Sequence, residues 1–345
     1  MDLDFTPEQE LLRETVRGVC ARHCGLDVVR ELEDDPIGYP EKLWVQLGEL
    51  GLLDAELSMP DRALVFQELG RALAPSPAFP SAVVSAGALA RAGAHEWANR
   101  ATSGEVIIVP AWLEPDRGFG SAGVTATFDG SHVTGVKRHV PFAAAADQLL
   151  VLAREGLVLV DRQGTGVTLT QQMSIASDTQ YRVEFDGAPG EFITGDLWPI
   201  WHDTMLDGII LLAAQAVGGA RYALDITVQY AKDRFQFDKP LGAFQAIAHY
   251  LSDAVTAVDG AELLLWEAAW ARSEGRSVAK LAPMAKLFAC ATFRDVTAMA
   301  QQVFGGVGFT VEYDIQLYFR RAKQLQLSWW DDRYLEELVA SEVLD

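Results

Sequence analysis

The chain has 345 residues and half of them are apolar, so it can bury a large core arranged in two or three layers or subdomains. Its formal net charge of −20 excludes the broad basic surface that phosphate neutralisation needs, so we expect no nucleic-acid partner. The N-terminus lacks the basic region and apolar core of a secretory signal, and no uninterrupted apolar run approaches a membrane span, so we predict a cytoplasmic protein without a membrane partner.

The first part of the chain is predicted to be α-helical. Through most of residues 1–104, apolar residues recur at spacings of three and four, as in Leu12, Val16 and Val19. The pair Thr6-Pro7 is typical of a helix start, because a threonine hydroxyl accepts from a free N–H and proline is tolerated in the first turn. We therefore predict an N-terminal α-helical domain over this range.

The pattern changes between residues 105 and 195 to short β-branched runs separated by turns. Alternation over short lengths, together with the turn pair Asp129-Gly130, indicates antiparallel strands. We predict a middle antiparallel β-barrel or sandwich domain over residues 105–195, with strands at 106–109, 124–128, 149–152, 157–160 and 181–185.

Helical spacing returns after Trp201 and continues almost to the end of the chain. The apolar pattern predicts a four-helix-bundle-like C-terminal domain over residues 196–345. Its three long antiparallel helices are expected at 209–231, 243–273 and 278–303. The predicted fold class is therefore α+β and multi-domain, in the order helices, β-domain, helices.

Cysteine usage does not indicate a metal site. Cys20 and Cys24 lie one helical turn apart without a further His or Cys pair to complete a ligand set, and Cys290 stands alone. We predict three reduced thiols and no bound metal.

A group of polar residues and glycines in the last third can bind a diphosphate. An arginine meets two phosphate oxygens with two parallel charge-assisted hydrogen bonds. Glycines let backbone N–H groups approach phosphate oxygens, and a glutamine amide both donates and accepts. Taken singly, the phenylalanine is more typical of a core and the glycine pair of a helix end. The candidate residues are Arg234, Phe237, Gln245, Gln302, Gly305 and Gly306.

The order and spacing of these residues resemble motifs of the acyl-CoA dehydrogenase family, and the order of the three predicted domains resembles its fold over nearly the whole chain. The run Glu68-Leu69-Gly70-Arg71-Ala72-Leu73-Ala74-Pro75 is similar to the shorter actinobacterial members. The motifs are Tyr230-Ala231-x-x-Arg234-x-x-Phe237-x-x-Pro240-Leu241-Gly242-x-Phe244-Gln245, Gln302-x-x-Gly305-Gly306-x-Gly308-Phe309 and Arg320-Arg321-Ala322-Lys323.

The resemblance implies FAD as the cofactor and an acyl-CoA or other acyl thioester as the substrate in lipid metabolism. In the family, the motif residues reach across a dimer interface and hold the ADP half of FAD bound mainly by the neighbouring protomer. An oligomer is therefore expected. Asp238 stands where the family usually has a glycine after the motif phenylalanine, which puts a close backbone approach there in doubt.

The chain departs from the family where the protomer's own flavin ring is held. The loop after Trp112-Leu113-Glu114-Pro115 lacks the usual glycine and serine pattern, and the second flavin segment reads Arg138-His139-Val140-Pro141. Pro141 offers flavin neither a hydroxyl nor an N–H. His139 is either a substitute donor or a structural residue.

A catalytic glutamate is missing at both family positions. Dehydrogenation needs a carboxylate near the α-proton of the thioester. Counting six residues from Lys323 reaches Trp329, and counting back from Arg234 reaches Gly208 beside Asp207. Asp207 is one position displaced and one methylene short, so it is either a base or an exposed acid in a first helical turn.

Three functions remain open from the sequence. The first is a base-lacking subunit of a heteromeric acyl-CoA dehydrogenase, an oxidoreductase acting on CH–CH bonds of sterol side chains or other bulky acyl-CoAs. Here a second subunit supplies the glutamate and the flavin-ring pocket. The second is a repurposed stand-alone homologue, flavin-free, non-redox or acting on carrier-protein-bound acyl groups. The third is a homomeric dehydrogenase that uses Asp207.

Overall fold

A computed structural model describes residues 4–175 and 178–344 of the chain. Helices precede Ser103, strands lie between Ile108 and Thr194, and helices follow from Leu197, which confirms the predicted fold class. The chain forms two compact units, one made of Met1–Leu26, Ser58–Ala74 and Ile209–Asp345, the other of Asp27–Leu57 and Pro75–Gly208. The three domain boundaries expected from the sequence stay a prediction.

The first part of the chain is helical, and its start follows the predicted cap. The Thr6 hydroxyl accepts from the Gln9 N–H at 3.3 Å, and the Gln9 side chain accepts from the Thr6 N–H at 3.2 Å, with Pro7 in the first turn. The elements are α1 (Pro7–His23), α2 (Leu26–Glu31), α3 (Glu41–Glu49), α4 (Met59–Arg71), a π-helical segment (Ala78–Ser85), α5 (Ala86–Arg91) and α6 (His95–Thr102).

The middle of the chain forms two four-stranded sheets. The strands are β1 (Ile108–Ala111), β2 (Thr127–Phe128), β3 (His132–Pro141), β4 (Gln148–Ala153), β5 (Gly156–Asp161), β6 (Val167–Gln172), β7 (Gln180–Pro189) and β8 (Glu191–Thr194). One sheet has the order β1-β4-β5-β8 and the other the order β2-β3-β7-β6. Asp129-Gly130 turns the chain between β2 and β3, as predicted. The strand pairs of the two sheets are antiparallel as predicted, except that β1 pairs with β4 in parallel.

The last part of the chain is again helical. Its elements are α7 (Leu197–Asp233), the short strands β9 (Phe235–Gln236) and β10 (Lys239–Pro240), α8 (Gln245–Ser273), α9 (Leu281–Phe304), α10 (Ile315–Leu327) and α11 (Asp332–Leu344). In length and apolar composition α7 meets the requirements of a membrane span, which the sequence analysis did not expect. Of its most apolar 18-residue stretch, 72% is buried inside the protein, as in a core helix.

Two glycines allow α4 and α7 to approach each other closely. A Cβ on Gly218 of α7 would collide with the carbonyl oxygen of Gln67 in α4, and a Cβ on Gly70 of α4 would collide with the backbone of Gln215 in α7. The clash is reciprocal and involves backbone atoms, which cannot rotate away as the end of a flexible side chain can.

We expect Gly218→Ala to destabilise the protein by about 1 to 3 kcal/mol, because the helices must separate to admit the methyl group. The matched control is Gly18→Ala in α1, where a Cβ meets nothing within 4 Å. That change should stabilise the protein by about 0.5 to 1 kcal/mol through helix propensity. Urea unfolding measures both values, and equal effects of the two substitutions would contradict the close approach.

Candidate functional site

The candidate diphosphate-binding residues follow the end of α7 and form a short hairpin. Arg234 comes directly after the helix, and its carbonyl accepts from the Leu241 N–H at 2.8 Å. Strands β9 and β10 pair around a two-residue turn, in which Phe237 and Asp238 have φ angles of 52° and 63°. Positive φ at both central residues is the geometry of a type I′ turn, which favours Asn-Gly. The two side chains here are therefore held in a strained conformation at the tip of the hairpin.

Aromatic contacts bring the hairpin to the end of α9. Tyr230 stacks on Phe304 with ring centroids 4.2 Å apart, and its hydroxyl donates to the Phe304 carbonyl at 3.4 Å. Tyr230 lies one turn before Arg234, whereas Phe304 lies between Gln302 and Gly305. The structure thus joins the two motif segments within one unit. We call Arg234, Phe237, Gln245, Gln302, Gly305 and Gly306 the arm.

The polar side chains of the arm are exposed and have no protein partner. Arg234, Gln245 and Gln302 all lie in solvent, and within residues 4–175 and 178–344 none of the three side chains forms a hydrogen bond or an ion pair. A guanidinium and two amides with unused donors fit the oxygens of a diphosphate. These residues therefore suit the nucleotide half of a bound dinucleotide.

Phe237 does not lie in a core. Its side chain is 87% exposed, and its ring meets Phe244 edge-on at 6.3 Å. Other apolar residues that flank the arm in sequence are also exposed: Phe309 by 73% and Val311 by 72%. Sequence reasoning gave Val311 no role, although an apolar residue in a glycine-rich, non-helical segment is the signal that marks it. Side chains this large and this exposed are typical of a surface that another molecule covers.

The glycine pair ends a helix and leaves open space beside it. Gly305 caps α9 with a φ angle of 69°, which confirms the helix-end interpretation. A Cβ on Gly305 or Gly306 would meet nothing within 4 Å, so the backbone there is open to a ligand. A role in binding phosphate stays a prediction.

Glu114, in the segment before the strand β2, forms a buried ion pair with Lys137. The Lys137 ammonium donates to Glu114 at 2.7 Å and to the carbonyls of Leu152 at 2.6 Å and Trp112 at 3.3 Å. Glu114 also accepts from the N–H groups of Thr125 and Ala126. Burial lowers the pKa of Lys137 to about 8 although Glu114 opposes this shift. The pair is fully satisfied and holds the Trp112–Pro115 segment.

The segments that would hold a flavin ring offer it few polar groups. The Leu113 carbonyl already accepts from the Arg138 N–H at 2.8 Å, and Pro141 is buried. His139 Nδ1 lies 3.0 Å from Gln180 Oε1. Burial, followed by the charge of Arg138, lowers the pKa of His139. These residues do not fit the donor pattern of the family.

Tryptophans occupy the first family position of the base. Trp329 and Trp330 follow α10 with φ angles of 55° and 71°, and Trp330 is 1% exposed. The fully buried Lys286 ammonium donates to the Trp330 carbonyl at 2.8 Å and fixes this turn. The next residue, Asp331, accepts from the Tyr334 N–H at 3.0 Å and so caps α11. The turn places bulky indoles where the family has a carboxylate.

Asp207 is not an exposed acid in a first helical turn. Because α7 begins at Leu197, Asp207 lies in its third turn and is only 8% exposed. Its carboxylate accepts from Arg91 at 2.6 Å, and Arg91 also binds Asp203 at 2.7 Å. The carboxylate is thus engaged in an ion pair that ties α7 to α5. The structure thus favours a structural role.

We expect Asp207→Asn to lower the free energy of unfolding by about 1 to 3 kcal/mol, because Arg91 loses a charged partner at a buried site. Asp203→Asn is the matched control, since its side chain is 42% exposed and the same arginine binds it. The control should cost less than about 1 kcal/mol. Chemical unfolding compares the two, and a stable Asp207→Asn protein that loses its chemistry would instead support a base.

Two family models match the chain. The model described as Acyl-CoA dehydrogenase, C-terminal domain, matches residues 198–328, and the model of the N-terminal domain of the same family matches residues 6–103. The first match contains the whole arm, and the second contains the run that begins at Glu68.

Relatives match over nearly their full length. Acyl-CoA dehydrogenase IpdE2 of Mycobacterium tuberculosis is 30% identical over 332 residues, which cover 91% of each chain. Acyl-CoA dehydrogenase FadE27 of the same organism is 28% identical and covers 95% of each. Among solved structures, the ChsE4-ChsE5 complex from Mycobacterium tuberculosis has a TM-score of 0.90 at 26% identity, covering 100% of this chain and 99% of the matched chain.

Proposed function

Because the chain belongs to the acyl-CoA dehydrogenase family, we propose that it is the base-lacking subunit of a heteromeric acyl-CoA dehydrogenase. In this complex it holds the ADP half of an FAD bound mainly by a partner subunit of similar fold. The partner supplies the catalytic glutamate and the flavin-ring pocket for α,β-dehydrogenation of an acyl-CoA or other acyl thioester. The exposed arm, whose polar side chains have no partner among the described residues, is the observation that carries this proposal.

The chain's own residues divide into those that fit FAD and those that do not. FAD, when bound, accepts a hydride from the β-carbon of the substrate. Arg234 binds the diphosphate by its fork, Gln245 and Gln302 bind polar groups of the nucleotide, and Phe237 supplies an apolar wall. Pro141 has no donor for a flavin ring and the imidazole of His139 faces Gln180, so we expect the ring to lie in the partner.

The carboxylates near the family's base positions support the same division of labour. Asp207 is ion-paired to Arg91, and Asp331 caps α11. Trp329 and Trp330 add bulk where a carboxylate would stand. The proton is therefore expected to leave to a partner's glutamate. The similarity to the ChsE4-ChsE5 complex, a solved complex of two named proteins, favours a heteromer.

The test is an absorption spectrum with a flavin-to-protein ratio. The chain is expressed alone and with the acyl-CoA dehydrogenase-like product of a neighbouring gene. We expect a colourless or poorly soluble protein alone and a yellow complex on co-expression in the cytoplasm. A colourless, stable homodimer with activity would instead support a repurposed stand-alone enzyme. A yellow homomer that acyl-CoA reduces would support an ordinary dehydrogenase.

A further inference from the structure

Four helices of the unit that carries the arm surround a cavity that is open to solvent on one side. It lies among α1, α4, α7 and α10 and has a volume of about 220 Å³. Its lining combines arginine, glutamate and tyrosine side chains with smaller or apolar residues. None of the arm residues lines it, so the cavity is separate from the proposed FAD contacts.

Arg71 brings a positive charge to this cavity. It is half-buried, and its guanidinium lies over the ring of Tyr222 at 4.3 Å from the centroid. Its carbonyl accepts from the Tyr318 hydroxyl at 2.7 Å, which fixes the end of α4. In the described part of the chain the guanidinium has no ion pair and no hydrogen bond. A partly desolvated fork of donors therefore faces the cavity and needs an acceptor.

The other arginine at the cavity is already neutralised. Arg17 donates to both oxygens of Glu68, at 2.9 and 2.7 Å, in a bidentate pair. Asp225 lies within Coulombic range of Arg17, and Asp314 lies within that of Tyr318, but neither carboxylate lines the cavity. Of the charged side chains that line the cavity, Arg17 and Glu68 pair with each other, whereas Arg71 has no ion pair in the described part of the chain.

Part of the cavity lining is neutral and apolar. Cys20 and Cys24 lie one helical turn apart, and each is 3% exposed. Burial raises the pKa of each thiol to about 12, so both are protonated at neutral pH and behave as small hydrophobic groups. Ala21 and Ala72 also line the cavity.

We infer that the cavity binds a small organic carboxylate with an apolar tail. The carboxylate pairs with the Arg71 fork over Tyr222, and the tail packs against Cys20, Cys24 and Ala72. The size fits, because an apolar cavity of about 150 Å³ holds benzene, and this cavity of about 220 Å³ leaves room for a carboxylate on such a ring. Benzoate is therefore the probe of choice.

The experiment is isothermal titration of the full chain, or of its complex, with benzoate, benzyl alcohol and inorganic phosphate. We expect saturable one-to-one binding of benzoate and at least tenfold weaker binding of the other two, since one lacks the charge and the other the tail. Arg71→Gln should weaken benzoate binding at least tenfold. Arg276→Gln is the matched control, because Arg276 also stacks on an aromatic ring, Trp270, but is exposed away from the cavity.

A second variant keeps Arg71 intact and guards against misfolding. Ala72→Leu narrows the cavity and should also weaken benzoate binding at least tenfold, while thermal unfolding of each unliganded variant reports its fold. Binding that ignores both substitutions, or equal binding of benzyl alcohol, would overturn the inference. The titration measures the heat of benzoate binding and neither flavin content nor flavin reduction, so its failure is distinguishable from a failure of the subunit role proposed above.

Discussion

A Lys137→Met variant is expected to lose about 3 to 5 kcal/mol of folding free energy, because it leaves a buried carboxylate without its counter-charge. Lys137 is fully buried and gives hydrogen bonds to Glu114 and to two backbone carbonyls. Methionine fills a similar volume but provides none of these donors. The two carbonyls and the Glu114 carboxylate would then lose the hydrogen bonds that Lys137 donates to them.

Denaturant unfolding at neutral pH measures this loss. Lys42→Met is the matched control, because Lys42 is an exposed lysine in the same unit, and it should change the free energy by less than about 0.5 kcal/mol. The double variant Lys137→Met, Glu114→Gln removes both charges and should recover part of the loss. Equal stability of the single and double variants would show that the unpaired charge is not the cause.

The pH dependence of this loss identifies the carboxylate as its origin. Burial alone would raise the pKa of Glu114, but Lys137 and the donors of Thr125 and Ala126 lower it below its ordinary value. In the wild type its contribution is therefore present above the unfolded pKa and is lost as pH falls through the folded pKa. Without Lys137, burial dominates and the folded pKa rises. The variant then binds a proton on folding, so its deficit should shrink as pH falls from neutrality toward the unfolded pKa of the carboxyl group.

Local sequence patterns predict much of the helical structure. They do not predict the environment of a side chain whose partner is distant in the sequence. The cap at Thr6 and the three long helices follow from spacing and turn residues. The predicted start of α7 at residue 209 lies twelve residues after the observed start at Leu197, and Pro199 lies in the first turn, where proline is tolerated. This displacement is why Asp207 was expected at a helix start, and its partner Arg91 lies 116 residues away.

The strands show the same limit. β3 contains Lys137, Arg138 and His139, whose charges hide the strand from a search for β-branched runs. Only the tertiary fold shows that Glu114, 23 residues earlier, neutralises Lys137. The parallel pairing of β1 with β4 is likewise invisible in either segment alone.

The sequence predicts which residues form the arm, but it does not predict how exposed their side chains are. The motif identifies the candidate binding residues by type and spacing. A phenylalanine flanked by polar residues, however, is as typical of a core as of a ligand site. The 87% exposure of Phe237, at a turn with positive φ, follows from the hairpin after α7 and separates the two interpretations. The cavity at Arg71 has no sequence signal, since four separate helices form it.

Arg234→Met is expected to strip flavin from the complex with the partner subunit. If the guanidinium gives two charge-assisted bonds to the diphosphate, its removal costs about 3 kcal/mol, or about a hundredfold in the dissociation constant of FAD. Arg234 is exposed and makes no side-chain bond in the described residues, so the stability of the chain itself should not change. The flavin-to-protein ratio after gel filtration, and titration of the apo-complex with FAD, measure the effect.

Two further variants separate bidentate binding from general electrostatics. Arg234→Lys keeps the positive charge but loses the bidentate guanidinium. Its FAD affinity should therefore lie between those of the wild type and Arg234→Met. Lys232→Met removes an exposed cation two residues away and should leave FAD affinity within about twofold, because a solvated charge contributes little. If Lys232→Met weakens FAD as much as Arg234→Met does, the arm acts only as a positive surface. If neither variant changes FAD affinity, the ADP half of FAD lies elsewhere and the subunit proposal is wrong, since the exposed guanidinium would have no ligand to bind.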